Sequence, residues 1–199
     1  MRAKHLFIMV AAISCTVMIH SCSSLFQASK YVINLSSVES PENATVQFGE
    51  TKVMTFAEGD KQKYRYEDDY INIVWYVGNK TFDFSLTNKT DHTIKINWDD
   101  ISYVDITGNV GRVMHSGVKY IDRNNSQPAT SIPRRATITD LLMPTDNVYY
   151  ASGWNEKPLI PIGYNQGGAE GKKMTILMPI TIENVQNDYT FEFVIHAKP

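Results

Sequence analysis

Apolar and polar residues alternate with a period of two along much of the chain beyond residue 30, the spacing that gives a β-strand one apolar face. Between Thr81 and Asn88, Phe82, Phe84 and Leu86 alternate with Thr81, Asp83, Ser85 and Thr87. Asn88, Lys89, Thr90 and Asp91 carry turn chemistry. Ile94, Ile96 and Trp98 then share one side opposite Lys95 and Asn97, so the stretch predicts an antiparallel hairpin. A second hairpin is predicted from 101–106 and 110–115 around Thr107-Gly108-Asn109. Further strands are predicted over 45–48, 51–56, 62–66, 70–77, 135–141, 173–178 and 189–196. In the last, Tyr189, Phe191, Phe193 and Ile195 form one face. Helical spacing is not sustained over any window of 11 residues. Short strands between Gly, Pro and Asn turns predict an all-β, antiparallel β-sandwich.

The run Phe82 to Asn88, followed by Thr90, Ile94, Ile96 and Trp98, resembles the strand-turn-strand core of bacterial immunoglobulin-like domains. Ser131-Ile132-Pro133 leading into Ala136–Asp140 resembles their proline-led turn into a later strand. The resemblance covers about 60 residues and implies an immunoglobulin-like β-sandwich without the cysteine pair of antibody domains. Such domains in envelope proteins bind, scaffold or assemble, and fold alone does not choose among these.

The N-terminus follows a different pattern. Arg2, Lys4 and His5 precede an apolar run from Leu6 to Ile19, and Ser21 closes it, the layout of an export signal. Ser14, Cys15 and Thr16 interrupt the run, which is shorter than the roughly 20 apolar residues a membrane-spanning helix needs. Ile19-His20-Ser21-Cys22 resembles the lipobox of bacterial lipoproteins, with an aliphatic residue three positions before the cysteine and a small one immediately before it. His20 departs from the usual small or hydroxylated residue between them. The resemblance implies cleavage before Cys22, a diacylglyceryl group on its sulfur, and attachment in the bacterial cell envelope. Ser23 after the lipidated cysteine implies the outer membrane where the enterobacterial sorting rule holds. Two alternatives remain open: a competing box at Ala12–Cys15, and an ordinary secretory signal. The expected organisation is a signal peptide over 1–21, a lipidated cysteine and tether over 22–30, and one β-sandwich domain over 31–199. With two or three acyl chains in one leaflet, anchoring would be stable, since each buried methylene contributes about 0.8 kcal/mol.

Cysteine usage and charge narrow the function. Cys15 and Cys22 are the only cysteines, so a chain cut before Cys22 folds without a disulfide. Losing residues 1–21 removes two basic residues and no acidic ones, moving the formal net charge from −2 to −4. A nucleic-acid partner is disfavoured, because Lys and Arg are scattered rather than gathered on one face.

Candidate binding residues are Tyr149, Tyr150 and Trp154, in an irregular stretch that also holds Tyr164, Pro158 and Pro161. Aromatics on loops present rigid area with a polar tip to proteins or glycans. The polar stretch from Ile121 to Pro133, with Arg123, is a second candidate for recognition. Neither an enzyme nor a cofactor is expected. A Ser/His/Asp set would have to assemble in space, from Ser116, His115 and Asp140 for example. No metal is expected either: Asp99, Asp100 and Asp105 match no calcium loop, and Glu67-Asp68-Asp69 reads as a solvated turn. These observations point to a non-enzymatic envelope module held at the membrane by Cys22 that binds a protein or assists assembly. A glycan-binding module using Tyr149, Tyr150, Trp154 and Trp75 is the alternative, and a hydrolase comes behind both.

Overall fold

A computed structural model describes residues 30–39, 52–58, 61–164 and 168–198. The strand expected at 45–48, and Cys22 with most of its tether, lie outside the described residues. Fourteen strands are present among them: β1 (Tyr31–Glu39), β2 (Lys52–Glu58), β3 (Lys61–Glu67), β4 (Ile71–Val77), β5 (Phe82–Asn88), β6 (Ile94–Ile96), β7 (Ser102–Val104), β8 (Val110–His115), β9 (Thr130–Ile132), β10 (Thr137–Pro144), β11 (Val148–Tyr150), β12 (Trp154–Glu156), β13 (Lys173–Ile182) and β14 (Val185–Ala197). The fold is all-β with antiparallel pairing, and its helical content there is confined to 3-10 turns. None of these helices is long and apolar enough to cross a membrane.

Twelve strands form one curled sheet in the order β1-β14-β13-β7-β8-β10-β5-β4-β3-β2, with β6 and β9 branching from β13. The curl turns at β8. Its first half pairs with β7 through Ser102↔Arg112 and Val104↔Val110, and its second half with β10 through Leu142↔His115 and Pro144↔Val113. Gln127 is buried beside this change of partner. Its Nε2 donates to the Val113 carbonyl (2.8 Å), and its Oε1 accepts from the His115 N–H (3.1 Å). Backbone groups at the turn of the sheet are thereby satisfied, as burial demands.

The core lies between the facing halves. Ile71, Ile73 and Trp75 of β4 and Phe82, Phe84 and Leu86 of β5 are buried at every second position, as are Tyr189, Phe191, Phe193 and Ile195 of β14. Trp75 meets Phe191 and Phe193 at ring-centroid distances of 5.1 and 5.6 Å, and Phe82 meets Phe193 at 5.1 Å. Tilted and edge-to-face arrangements of this kind add to area burial. Residues from Tyr31 onward form one compact unit.

Two expectations are corrected. The hairpin read from Thr81–Asn88 and Thr93–Trp98 does not form: β5 pairs with β4 and β10, whereas β6 pairs with β13 and β9. The chain crosses from one half of the sheet to the other, and Asn88 fixes the crossing. Its buried side-chain amide donates to the carbonyls of His92 (2.7 Å), Ile132 (3.1 Å) and Pro133 (3.0 Å), and its Oδ1 accepts from the Thr90 N–H (2.9 Å). The second correction concerns Asp68, which is buried rather than solvated. Its Oδ2 accepts from the hydroxyls of Tyr66 (3.1 Å) and Tyr189 (3.0 Å), and its Oδ1 from the N–H groups of Tyr70 and Ile71. By contrast, the hairpin predicted around Thr107-Gly108-Asn109 forms, with Ser102–Val104 paired to Val110–Arg112, a shorter ladder than the predicted 101–106 and 110–115.

Candidate functional site: an exposed aromatic hairpin

β11 and β12 stand apart from the main sheet as a two-stranded ribbon, with Val148↔Glu156, Tyr149↔Asn155 and Tyr150↔Trp154 opposed. The connection Ala151-Ser152-Gly153 uses positive φ at Ser152 (54°) and Gly153 (142°). Asn155 closes it by donating to the carbonyls of Ala151 (3.1 Å) and Gly153 (2.8 Å). Alternation along the ribbon sends Val148, Tyr150, Trp154 and Glu156 to one face and Tyr149, Asn155 and Lys157 to the other. On the first face Val148 is buried against Met114 and Met143 in a small satellite core, to which Tyr120 also packs. The same face ends in solvent, where Tyr150 is 70% and Trp154 41% exposed.

Those rings have specific neighbours. Tyr150 meets Trp154 edge-on at 5.5 Å, and Tyr120 meets Trp154 edge-on at 6.0 Å. The Arg123 guanidinium lies 5.4 Å above the Trp154 ring, a cation–π contact worth about 0.5–1 kcal/mol at an exposed site. Arg123 is itself held by donating to the Tyr120 carbonyl at 2.9 Å. Beneath them the Tyr120 hydroxyl donates to Glu156, and Lys80 pairs with Glu156 at 2.9 Å. The hydrogen bond from Tyr120, then that from Lys80, holds the Glu156 carboxyl below its usual range, and Glu156 in turn raises the Tyr120 hydroxyl. Ile121, next in the chain to Tyr120, is 72% exposed.

All three binding residues read from the sequence are therefore exposed, but only Tyr150 and Trp154 share a surface. Tyr149 faces the other way, under the Lys157 ammonium at 5.6 Å. Trp75 is not available to any ligand, because it is fully buried among Phe84, Phe191 and Phe193. Tyr120 carries no periodic signal, and only the fold shows that it and Arg123, at the start of the 121–133 stretch, join the ribbon.

The other candidates take definite places. His115 stacks flat on Trp98 (4.1 Å between centroids, 5° between planes), and its Nδ1 lies 3.2 Å from Asp140 Oδ2. Ser116 contacts Asp140 through its backbone N–H (2.9 Å). The His115–Asp140 contact ties β8 to β10. Asp99 is held by Arg112, Ser126 and Gln127, with the Ser126 hydroxyl contributing most to lowering its pKa, while Asp105 closes its own turn onto Thr107 and Asn109. Among the described residues no group of three or more His, Cys, Asp or Glu side chains is placed to hold a metal ion.

No protein-family description matches the chain, and no curated protein matches it. Two solved structures show a distant likeness. One, described as Northeast Structural Genomics Consortium target SoR45, is 11% identical over 85% of this chain and 88% of that one, with a TM-score of 0.29. The other, the yjhA protein from Bacillus subtilis, is 13% identical over 75% and 76%, with a TM-score of 0.27. At these TM-scores neither likeness bears on the fold or the function.

Proposed function

We propose that this protein is a non-enzymatic envelope lipoprotein, anchored through Cys22, whose immunoglobulin-like sandwich binds a protein partner through Tyr150, Trp154, Tyr120 and Arg123. The reading rests on one observation above all: an exposed Tyr-Trp pair braced from behind, with an arginine stacked on the indole. Tyr, Trp and Arg are the residue types that dominate binding energy at protein interfaces. The bracing by Tyr120, Glu156 and Lys80 lowers the ordering cost of association. A glycan platform asks for rings in a flat row, and here the Tyr120 and Tyr150 rings stand at 72° and 78° to Trp154. The immunoglobulin-like description is supported by the two facing halves of the sheet and the crossing between β5 and β6.

Cross-linking pull-down from native envelopes tests the surface. Replacing Tyr150 and Trp154 together by alanine should lower recovery of the partner by roughly 30-fold or more, since one interfacial hot spot is worth about 2 kcal/mol. Unchanged recovery of the same partners would reject this surface as the contact. The anchor has a separate test. Cys22→Ala should abolish incorporation of a palmitate analogue and leave unprocessed precursor, whereas Cys15→Ala should do neither. Loss of label from the second variant alone would move the anchor to Cys15.

A further inference from the structure

We infer that the end of the fold at which the chain enters β1 rests on the lipid bilayer, with Ile162 and Val110 dipping into the headgroup layer. The inference builds on the lipid-anchor reading of Cys22, and strand register supplies the geometry. The chain enters the sheet at Tyr31, opposite Ala197, the last residue of β14. From Ala197 the same edge of the sheet runs to Lys172 and Lys173, through Ile195 N–H to the Lys172 carbonyl (3.0 Å) and Lys173↔Val194. It continues along Thr175↔Val104 to Val104↔Val110. The Tyr31 hydroxyl donates to the Tyr164 carbonyl at 2.6 Å, which ties the 3-10 turn Ile162–Tyr164 to the same end. Val110 and Ile162 rim one shallow cleft of 280 Å³ floored by Ile106 and Leu159.

Val110 is 72% and Ile162 75% exposed, against a core in which most aliphatic side chains are fully covered. Two large apolar side chains left in water at the end where the tether joins are what an interfacial contact would bury. Their surroundings fit the headgroup layer. The Lys172 ammonium lies 5.6 Å above the Tyr164 ring, and Lys157 and Lys198 are exposed nearby, a combination of aromatic and snorkelling cation suited to the boundary between water and acyl chains. Of the acids at this end, Asp105 is enclosed by its own turn, Glu170 accepts from the Ala197 N–H and Glu192 pairs with Lys173 at 2.9 Å, while Asp146 is exposed. Reach gives the same answer. Eight tether residues extend at most about 25–30 Å, whereas β14 alone is about 40 Å long at 3.3 Å per residue. The tether therefore keeps the attached end within that reach of the bilayer, whereas the opposite end, at the β13–β14 turn of Glu183 and Asn184, is free to stand further off.

The test uses the full lipidated protein in vesicles of phosphatidylethanolamine and phosphatidylglycerol. The described fold contains no cysteine and an acylated Cys22 takes no thiol dye, so Ile162→Cys, Val110→Cys and Glu183→Cys can each carry a single environment-sensitive fluorophore, with the unsubstituted protein as background. Labels at 162 and 110 should shift to the blue and be quenched about twofold or more by lipids bearing a nitroxide near the headgroup, and the label at 183 should do neither. Equal, unquenched emission at all three positions in protein that has incorporated a palmitate analogue would overturn the seating and leave the anchor standing. Absence of palmitate incorporation would overturn both.

Discussion

Asp68→Ala should lower the unfolding free energy by about 3–5 kcal/mol, because it removes one carboxylate that four buried or half-buried donors share. The loss has two structural parts. Oδ1 accepts from the N–H groups of Tyr70 (2.8 Å) and Ile71 (2.7 Å), which shapes the turn from β3 to β4. Oδ2 accepts from Tyr66 on β3 and from Tyr189 on β14, so it joins the facing halves of the sheet across the core. Burial, then the nearby Asp68 charge, raises the Tyr189 hydroxyl far above the ordinary tyrosine range, which keeps it a proton donor. Asp68→Asn retains one acceptor oxygen and should fall between the alanine variant and the parent. Urea unfolding followed by tryptophan fluorescence measures both. A cost below about 1 kcal/mol for the alanine variant, within the range of a single ordinary hydrogen bond, would mean that the halves of the sheet are held by apolar packing alone.

Trp75→Ala should cost a comparable 3–5 kcal/mol, the usual penalty for truncating a fully buried indole. The ring fills the space between Phe84 on its own side and Phe191 and Phe193 opposite, so alanine leaves a cavity lined by aromatic rings that cannot collapse into it. Trp75→Phe should cost less than half as much. It keeps most of the ring contacts and removes an indole N–H that is buried without a hydrogen-bond partner, and loss of an unpaired polar group offsets part of the lost volume. The urea midpoint should fall for both variants with the slope unchanged. A phenylalanine variant as unstable as the alanine one would show that the indole N–H is satisfied in solution.

Most strands of the core were legible from alternation alone. Over Ile71–Trp75 of β4, Phe82–Leu86 of β5 and Tyr189–Ile195 of β14 every second residue is apolar in the sequence and buried in the structure. Alternation failed where the backbone itself is irregular. β1 is not predicted, because its register shifts between Leu35 and Ser37, which breaks the period of two. The pattern predicts β13 only as far as Met178, before Pro179, yet the strand runs on to Ile182. Proline is tolerated there because β13 pairs with β7 through Leu177 and with β6 only from Ile180, so Pro179, in the two-residue gap between them, forfeits no ladder bond on that side. Glu67-Asp68-Asp69 reads as a solvated turn because composition shows acids beside a strand but not the two tyrosine hydroxyls that converge on Asp68.

The candidate site divides along the same line. Tyr150 and Trp154 were named from composition and turn residues, and both are exposed. Their grouping with Tyr120 and Arg123 comes from a separate segment, and the separation of Tyr149 from them comes from strand alternation in a ribbon too short to show a period. Local pattern thus determined which residues extend and which faces are apolar, because side-chain direction along a strand depends only on neighbours in sequence. Which strand each face meets was decided by the tertiary structure. Asn88 carries the chain between the halves instead of closing a hairpin, β8 changes partners to curl the sheet, and Trp75 becomes core rather than surface, since pairing and burial depend on groups far away in the chain.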